Sequence, residues 1–311
     1  MGIEVIGDVT STEYVRTGLA SFDRALHGGL WLRSAYEIYG YTHVGKSTFA
    51  YFLAGKVRPG GLIAVADFEG FDINYMLRNL AAAEWSGKVD VVDVLDGETA
   101  LTALRDRLIQ PETQAAILDS VGALVPMTEM KEKISAANMG LKARLMAKGM
   151  RYIVHALRRN PACFFAINHL HPILSIGQGA TTSGGVTIHN LSAVRLRLHP
   201  EKIDERYSVV QGKVDKLRYG GKGRHFKFVI LPGVGVHTGL TAVMDCVWAG
   251  RATDDRIVKL DGKSFGYFKA LVDKAYEGDN EVFEPFRSVI NDYMGTADLS
   301  DSTETSDDSD D

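Results

Sequence analysis

The sequence is poor in cysteine and contains no long apolar run. Two cysteines among 311 residues exclude a disulfide framework, and Cys163 lies in an apolar stretch that is typical of a protein core. No stretch approaches the length of a membrane span, and the N-terminal residues MGIEVIGDV lack the basic and apolar regions of a secretory signal. These absences predict a cytoplasmic protein without a membrane partner.

Acidic residues are concentrated at the C-terminal end. Residues 297–311 carry seven acidic side chains and no basic one. Subtracting these seven from the 39 acidic residues of the chain leaves 32 against 35 basic residues, so the net charge of −4 becomes +3 without the tail. We expect the tail to be disordered, either as a solubility appendage or as a competitor for a basic surface.

Four apolar segments without clean alternation predict buried parallel strands: SAYEIYG, GLIAVADFE, QAAILDS and ACFFAINH. Helical patterns separate them, notably after Lys46 and across residues 140–159. This alternation indicates a doubly wound α/β core, in which helices flank a mostly parallel central sheet. Further strands are predicted in AVRLRLHP, YSVVQGKVDKLR and HFKFVILPG, and a smaller mixed region follows from about residue 240.

The segment GYTHVGKS, residues 40–47, fits the phosphate-loop pattern G-x-x-x-x-G-K-[S/T] between a predicted strand and helix. Its two glycines let backbone N–H groups turn towards a phosphate, and the helix adds its positive N-terminal end. Lys46 would reach the β- and γ-phosphates, and the Ser47 hydroxyl would bind Mg²⁺. We expect a nucleotide to be held by Gly40, Tyr41, Thr42, His43, Val44, Gly45, Lys46, Ser47 and Thr48.

Polar residues follow the other predicted strands at their carboxyl ends, where open α/β sheets bind ligands. Asp119 suits a second contact with Mg²⁺, directly or through water. Glu69 is either a general base that orients water or a solvated carboxylate at a strand end. Asp72 and Tyr75 could hold adenine by hydrogen bonding and stacking. With His169 at the end of the fourth strand, the pattern predicts one convergent site.

The predicted helix GLKARLMAKGMRYIVHALRR has two opposed faces. One face is basic and contains no acidic residue; it consists of Arg144, Lys148, Arg151 and His155. The other face is apolar and consists of Met146, Met150, Ile153 and Leu157. A cationic ridge of this kind suits the phosphate backbone of a nucleic acid.

A long loop, residues 171–187, follows the fourth strand and carries no charge apart from His171. Structureless loops of this length are usually functional or disordered. The loop offers hydroxyl groups, backbone donors at two glycines, and apolar tips that could wedge between bases. The residues concerned are Ile173, Leu174, Thr182, Ser183, Gly184 and Gly185.

Together these segments resemble the RecA family of homologous-recombination ATPases. The resemblance extends over about residues 15–240 and includes TGLASFDRALHGGLWLRSAYEIYG, ILDSVGALVP, ANMGLKARLMAKGMRYIVHAL, FFAINHLHP and TTSGGVTIHNLSAVRLRL. Among members of the family, the chain resembles the phage recombinases, several of which also carry His after Asn at the end of the fourth strand, where bacterial members have Gln. The resemblance implies a leader over 1–20, a RecA-like ATPase and DNA-binding core over 21–240, a small C-terminal region over 241–296, and the tail.

The resemblance implies a DNA-dependent ATPase that uses ATP and Mg²⁺, forms a filament on single-stranded DNA, and exchanges that strand into a homologous duplex. Lys46, Ser47, Asp119 and Glu69 match the nucleotide and catalytic residues of the family. His169 matches the residue that senses the γ-phosphate and signals to the second DNA-binding loop. The cell would be bacterial or phage-infected, and single-strand-binding and loader proteins are implied as further partners.

Other residues match the DNA contacts and the protomer interface of the family. Segment 126–139 corresponds to the first DNA-binding loop, with Met139 at the position that inserts between base triplets. The residues that correspond to backbone-phosphate contacts are Arg144, Arg151, Gly184 and Gly185. Lys216 and Arg218 correspond to the basic pair that reaches the ATP of a neighbouring protomer, so they are expected to contribute to catalysis there.

Three departures from the family pattern keep other functions open. The family's N-terminal docking helix has no counterpart, His171-Pro172-Ile173 replaces basic residues, and the spacing from Glu69 to Tyr75 is one residue shorter. The missing helix favours an accessory protein that binds ATP and DNA without forming long filaments. A hexameric helicase-type motor, assembled as a ring, is a further alternative. A small-molecule kinase is disfavoured because no Arg-rich lid is present.

Overall fold

The computed structural model describes residues 13–70, 72–131, 140–172, 180–218, 220 and 223–296. Met139, Ile173 and Leu174, which are predicted DNA-binding residues, lie outside these ranges, as does the acidic tail. The chain divides into two compact units, the first ending at Thr238 and the second beginning at Gly239. The predicted division into leader, core, C-terminal region and tail stays a prediction.

The first unit is built on a large central sheet, preceded by a short antiparallel pair, β1 (Tyr14–Val15) with β2 (Leu30–Trp31). The strands of the central sheet are β3 (Ser34–Gly40), β4 (Leu62–Asp67), β5 (Lys88–Val91), β6 (Thr113–Asp119), β7 (Cys163–Pro172), β8 (Ala180–Thr182), β9 (Val194–Ile203), β10 (Ser208–Leu217), β11 (His225–Leu231) and β12 (Gly235–Val236). Their order across the sheet is β12-β11-β10-β9-β3-β7-β6-β4-β5, and β8 pairs with β7.

The pairing is parallel from β5 to β9 and antiparallel from β9 to β12. Helices cover the sheet: α1 (Ala20–Ala25), α2 (Lys46–Lys56), α3 (Ile73–Ala82), α4 (Gly97–Ile109), α5 (Met127–Lys131), α6 (Leu141–Leu157) and α7 (Val186–Leu191). The predicted α/β class with a mostly parallel central sheet is therefore confirmed. Within the described part of the chain, no helix combines the length and apolar character needed to cross a membrane.

Both faces of the parallel strands are buried, which explains why their sequences show no alternation. In β4, Ile63 and Val65 join the apolar cluster that contains α2, whereas Ala64 and Ala66 join the cluster that contains α4 and α6. Successive side chains of a strand point to opposite faces, so an apolar residue is required at every position. The small alanines leave room for the large residues of α4 and α6.

Helix α2 is buried on nearly all sides, which fixes the position of its first turn. Phe49 stacks on Phe228 at 4.3 Å between ring centroids and meets Phe22 edge-on at 5.4 Å. Burial of one such ring stabilises the fold by about 1.5–3 kcal/mol, and aromatic pairs add about 0.5–1.5 kcal/mol. The phosphate-loop segment that precedes α2 is thus anchored to a rigid core element.

The second unit contains a small antiparallel sheet and its own core. Its elements are α8 (Thr238–Trp248), β13 (Ala252–Asp255), β14 (Ile257–Leu260), β15 (Lys263–Ser264), α9 (Phe268–Glu277), a 3₁₀ turn (Glu281–Phe283) and α10 (Glu284–Thr296). The fully or almost fully buried apolar residues include Val243, Val258, Leu271, Phe283, Phe286 and Ile290. Phe286 meets Phe265 edge-on, with ring centroids 4.7 Å apart.

Asp23, in α1, is a buried carboxylate that holds the chain segment before the helix. It accepts hydrogen bonds from the backbone N–H of Thr17 at 3.0 Å and from the Thr17 hydroxyl at 2.8 Å. Burial raises the pKa of Asp23 to about 6, although the bonds from Thr17 act in the opposite direction. Because the folded-state pKa lies above the ordinary value, the native protein binds the Asp23 proton more tightly than the unfolded chain does.

We therefore expect the contribution of Asp23 to stability to be complete below about pH 4 and to be lost as the pH rises through 6. Between pH 5 and 8 the unfolding free energy of the wild type should fall by roughly 1–2 kcal/mol relative to that of Asp23→Asn. Urea unfolding of both proteins at several pH values measures this difference. Stability curves that run parallel across this range would contradict the assignment.

Candidate functional site

The loop between β3 and α2 depends on two glycines. Gly45 is the N-cap of α2 and has a φ of 88°, in the left-handed region that favours glycine. Gly40 pairs with Leu198 of β9, and a Cβ atom at Gly40 would collide with the carbonyl oxygen of Leu198. Between them, His43 also has a positive φ, of 61°. The backbone thus turns tightly in front of the helix N-terminus, as an anion cradle requires.

Lys46 is buried at the first position of α2. Its ammonium group donates a hydrogen bond to the backbone oxygen of Tyr41 at 2.7 Å, which holds it across the loop. Burial lowers the pKa of Lys46, and the neighbouring Glu69 and Asp119 carboxylates oppose that shift. The lysine is therefore a desolvated cation whose strongest counter-charges lie in the same pocket.

Ser47 and Asp119 meet across the loop. The Ser47 hydroxyl donates to Asp119 Oδ2 at 2.6 Å. Burial raises the pKa of Asp119 to about 7; the bond from Ser47 opposes this shift, and the carboxylates of Asp67 and Glu69 reinforce it. A cation at this position would offset the negative charge of the Asp119 carboxylate. A hydroxyl group with a carboxylate is a ligand pair that suits Mg²⁺. No cluster of three or more His, Cys, Asp or Glu side chains suited to a metal occurs in the described ranges, so phosphate and water would supply the other ligands.

Glu69 lies just beyond β4 and accepts hydrogen bonds from two other strand ends. The Ser120 hydroxyl donates to Oε1, and His169 Nε2 lies 2.7 Å from the same oxygen. The carboxylate of Asp67 accepts the N–H groups of Glu69 and Gly70, each at 2.8 Å, which fixes the turn. Burial alone would raise the pKa of Glu69, but the bonds from Ser120 and His169 outweigh it and the net shift is downwards. Glu69 is therefore an ionised, oriented carboxylate.

His169 reaches Glu69 because β7 runs parallel to β3. The register pairs Gly40 with His169, so the histidine lies beside the first residue of the phosphate loop. A carboxylate can only accept a hydrogen bond, which requires that His169 Nε2 carries the proton in this contact. The predicted convergence of the strand ends is thus observed in the geometry.

These residues line one cavity of about 380 Å³. The predicted residues on its wall are Thr42, His43, Val44, Gly45, Lys46, Ser47, Thr48, Glu69, Tyr75, Asp119 and His169. Gly40, Tyr41 and Asp72 are not among the residues that line it, although the backbone oxygen of Tyr41 accepts the hydrogen bond from Lys46. The sequence analysis missed Ile167, Pro200, Ile203, Ser208, Val209, Val210 and Ile230. Most of these come from the antiparallel strands, and no local pattern marks them as site residues.

A second, smaller cavity of about 80 Å³ adjoins Thr48 and Tyr75. Its wall also includes Arg78 and Asn79 of α3 and the segment 230–235. The hydroxyls of Thr48 and Tyr75 are hydrogen-bonded to each other. Asp72 is the N-cap of α3 and accepts the N–H groups of Asn74 and Tyr75 at 2.9 and 3.2 Å. Its carboxylate thus orients the turn that carries Tyr75, and its predicted contact with adenine stays a prediction.

The two faces of α6 are present as the sequence predicts. The four residues of the basic face are all exposed: Arg144, Lys148, Arg151 and His155. The four residues of the apolar face are all buried: Met146, Met150, Ile153 and Leu157. The face is therefore free to meet an anionic surface, and apolar packing holds the helix in place behind it.

The segment after β8 packs closely against α6. Gly184 and Gly185 have φ values of 90° and 77°, and a Cβ atom on either would approach Val121 or Ala143 within 3 Å. Thr182 lies inside rather than facing solvent: its hydroxyl is 3.1 Å from Glu37 Oε1 and 2.7 Å from His189 Nε2. A DNA contact at Thr182 stays a prediction that its hydroxyl, bonded within the protein, does not support.

Lys216 and Arg218 lie on and just after β10, and neither is among the described residues that line the cavity. Lys216 Nζ donates to the backbone oxygens of His189 and Asn190 at 2.7 and 2.8 Å, and Arg218 donates to that of Leu191 at 3.1 Å. Cations at these carbonyls complement the negative end of α7. Burial lowers the pKa of Lys216, and the positive charges of Arg218 and Arg195 add to the effect.

The fold and the phosphate loop define a P-loop nucleotide-binding protein, and comparison with known proteins specifies the family. A family model described as the RecA N-terminal domain matches residues 3–219. The chain is similar to Protein RecA of Nostoc punctiforme, with 31% identity over 253 residues, covering 77% of this chain and 69% of that protein. Protein RecA of Chlorobium limicola is 28% identical over 317 residues, covering 94% of this chain and 86% of that protein.

The chain belongs to the RecA family of ATP-dependent DNA recombinases. The predicted RecA-type fold, recombinase function and DNA-dependent ATPase activity are confirmed at this level. Members of the RecA family use ATP with Mg²⁺, bind DNA and form filaments.

Proposed function

We propose that this chain binds ATP·Mg²⁺ in the 380 Å³ cavity, assembles on single-stranded DNA, and releases the DNA after hydrolysis. The observation that carries the proposal is the meeting of Lys46, Glu69 and His169 at one end of the sheet, next to the segment that leads into α7. The nucleotide and the DNA-binding segments then share one rigid sheet. Single-strand-binding and loader proteins are proposed as further partners of the assembled filament.

In the nucleotide site, Lys46 would leave Tyr41 O and bind the β- and γ-phosphates, while Ser47 and Asp119 would hold Mg²⁺. Bound Mg²⁺ would offset part of the negative charge of the phosphates. Tyr75 would contact the base beside the smaller cavity, with Asp72 fixing its turn. The remaining backbone of the loop, from Gly40 to Thr48, would cradle the phosphates.

Hydrolysis would use Glu69 as the general base. Its lowered pKa keeps it ionised at neutral pH, and the bond that it accepts from the Ser120 hydroxyl would hold it in the cavity when ATP is bound. His169 would exchange Glu69 for the γ-phosphate as its hydrogen-bond partner when ATP is bound. Because a hydrogen bond to the γ-phosphate is lost on hydrolysis, His169 would report the state of the nucleotide.

DNA binding would use the exposed basic face of α6 and the glycine turn at Gly184 and Gly185. Arg144 and Arg151 would contact phosphates, and N–H groups of the turn would add hydrogen bonds. Met139, Ile173, Leu174 and Ser183 complete the proposed DNA-binding set, whereas the Thr182 side chain is bonded within the protein. Lys216 and Arg218 would act on the ATP of a neighbouring protomer, so that two chains complete one active site.

Glu69→Gln should lower the DNA-stimulated ATPase rate by about 10²-fold or more while retaining ATP and DNA binding, because it removes the base but spares the phosphate cradle. Lys46→Ala should abolish turnover. Glu84→Gln is a matched control, since that side chain is 86% exposed and makes only a long ion pair with Lys56. A steady-state phosphate-release assay measures the rates. Normal turnover by Glu69→Gln would show that the base is another residue.

Replacing Arg144 and Arg151 together by Gln should weaken binding to single-stranded DNA at low salt. The slope of log K against log salt concentration should become shallower by about one per contact removed. Lys88→Gln is the control for each single variant, Arg144→Gln or Arg151→Gln, because it also removes one positive charge and Lys88 is exposed at the start of β5, at the opposite end of the sheet. Fluorescence anisotropy across a salt titration measures both. An unchanged slope would mean that this face does not meet the phosphates.

Mixing Lys216→Ala protein with Glu69→Gln protein should restore part of the ATPase activity, because each supplies what the other lacks across one interface. A cation that reaches a neighbour's γ-phosphate is worth about 10³-fold or more in rate. The assay uses single-stranded DNA and saturating ATP, with each variant alone as its control. A mixture as inactive as its components would contradict a shared site.

A further inference from the structure

Glu37 is a fully buried carboxylate in the middle of β3, three residues before the phosphate loop. Its oxygens accept hydrogen bonds from three different elements. Oε1 accepts from Asn168 Nδ2 at 2.9 Å and from the Thr182 hydroxyl at 3.1 Å, and Oε2 accepts from Arg195 Nε at 2.6 Å. A buried ion pair contributes little to stability compared with apolar residues of the same volume, so stability alone does not account for a charge here.

Asn168, the neighbour of His169, uses its whole hydrogen-bonding capacity in this network. Its NH₂ group donates to Glu37 and to the backbone oxygen of Ser183 at 2.8 Å. Its carbonyl oxygen accepts the N–H groups of His169 at 3.0 Å and of Ser183 at 3.2 Å. The side-chain amide therefore ties the backbone of Ser183 to the residue that faces the nucleotide cavity.

Thr182 extends the network to α7. A hydroxyl group has one proton, and Glu37 can only accept, so the Thr182 proton points to Glu37. The hydroxyl oxygen must then accept from His189 Nε2, 2.7 Å away, which fixes the tautomer with hydrogen on Nε2. Burial lowers the pKa of His189, while the Glu37 carboxylate opposes that shift.

Arg195 extends the network to β10 on the other side. Its guanidinium lies over the Tyr39 ring, 4.6 Å from the centroid, and the Tyr39 hydroxyl donates to Asp215. The next residue, Lys216, bonds the carbonyl oxygens at the end of α7. Starting from Glu37, one continuous set of polar contacts thus reaches the strand of His169, the segment before α7, α7 itself, and the strand of Lys216.

We propose that Glu37 is a positioning residue that couples the nucleotide site to the second DNA-binding segment. It fixes Asn168 and Thr182 relative to β3, so that a shift of His169 on ATP binding moves the backbone at Thr182 and Ser183. By linkage, DNA that fixes this backbone strengthens ATP binding by the same factor. The inference rests on the proposed function, in which His169 contacts ATP and the segment from Thr182 to Gly185 contacts DNA.

The test uses Glu37→Gln in the full-length protein. Glutamine keeps the shape and one acceptor oxygen, but its NH₂ group faces the Arg195 donor and the charge is lost. The dissociation constant for a single-stranded oligonucleotide is measured with and without a non-hydrolysable ATP analogue, and the ratio of the two is the coupling factor. We expect this factor to fall at least fivefold in the variant, while the variant still binds the oligonucleotide and the analogue separately.

Asp23→Asn is the control for loss of a buried carboxylate, since Asp23 accepts its hydrogen bonds from the segment before α1, at Thr17 and Gly18, and the coupling factor of this variant should equal that of the wild type. Thr182→Val, which removes one arm of the network, should also lower the factor, and Thr182→Ser should restore it. If Glu37→Gln does not fold, this pair of Thr182 variants tests whether the network couples the two sites.

The outcomes separate this inference from the proposed function. A wild type without any coupling factor would overturn the proposed function, and the inference with it. A wild type that couples, together with a folded Glu37→Gln or Thr182→Val that couples equally well, would overturn the inference alone. Loss of analogue binding or of DNA binding on its own would also overturn it, because Glu37 would then support one site rather than connect the two.

Discussion

The parallel pairing of β3 with β7 is the constraint on which the rest of the site depends. Its register places Gly40 beside His169, so the start of the phosphate loop and the end of the sensor strand are adjacent by backbone hydrogen bonds alone. The next strand, β6, brings Asp119 to Ser47, and β4 brings Glu69 to His169. These strands are buried on both faces, so a one-residue slip would exchange the two apolar clusters and disperse the site. Packing of the strands therefore fixes the relative positions of the residues in the site.

The residues that could be predicted are those with a local signal. Lys46 and Ser47 lie in a spaced motif, while Glu69, Asp119 and His169 are polar residues that end apolar runs, and the carboxyl ends of parallel strands meet at one edge. The four buried strands and helix α6 follow from the same local patterns, with boundaries that differ by a few residues. Ile203, Val209 and Ile230 carry no such signal, because apolar residues of antiparallel strands look alike whether they face a core or a ligand.

The contacts of Glu37 and Thr182 cannot be predicted from a local sequence pattern. Glu37 is a single charge inside the apolar run SAYEIYG, and only the fold reveals that Asn168, Thr182 and Arg195 converge on it. Among the three adjacent hydroxyl residues 181–183, composition does not say which one points inwards; the pairing of β8 with β7 does, by placing Thr182 opposite Leu170. Long-range strand pairing therefore decides whether a polar residue contacts a ligand or the protein itself.

The charges around the phosphate loop bear on the proposal that a neighbouring protomer completes the site. The carboxylates of Asp67 and Glu69 add to the raised pKa of Asp119, and Lys46 is the cation that acts on both Glu69 and Asp119. A triphosphate adds several negative charges to this already acidic, partly desolvated pocket, where Coulomb repulsion is stronger than in water. The N-terminus of α2 contributes only about half a positive charge, and a divalent cation at Ser47 and Asp119 would offset more of the negative charge. Charge developing on the γ-phosphate in the transition state still requires a further cation, and Lys216 and Arg218 of the same chain lie outside the cavity, at the end of α7. The charge balance thus favours a site that a neighbouring protomer completes. The neighbour's cations would come from the region of β10, the strand that Glu37 and Arg195 connect to the DNA-binding segment.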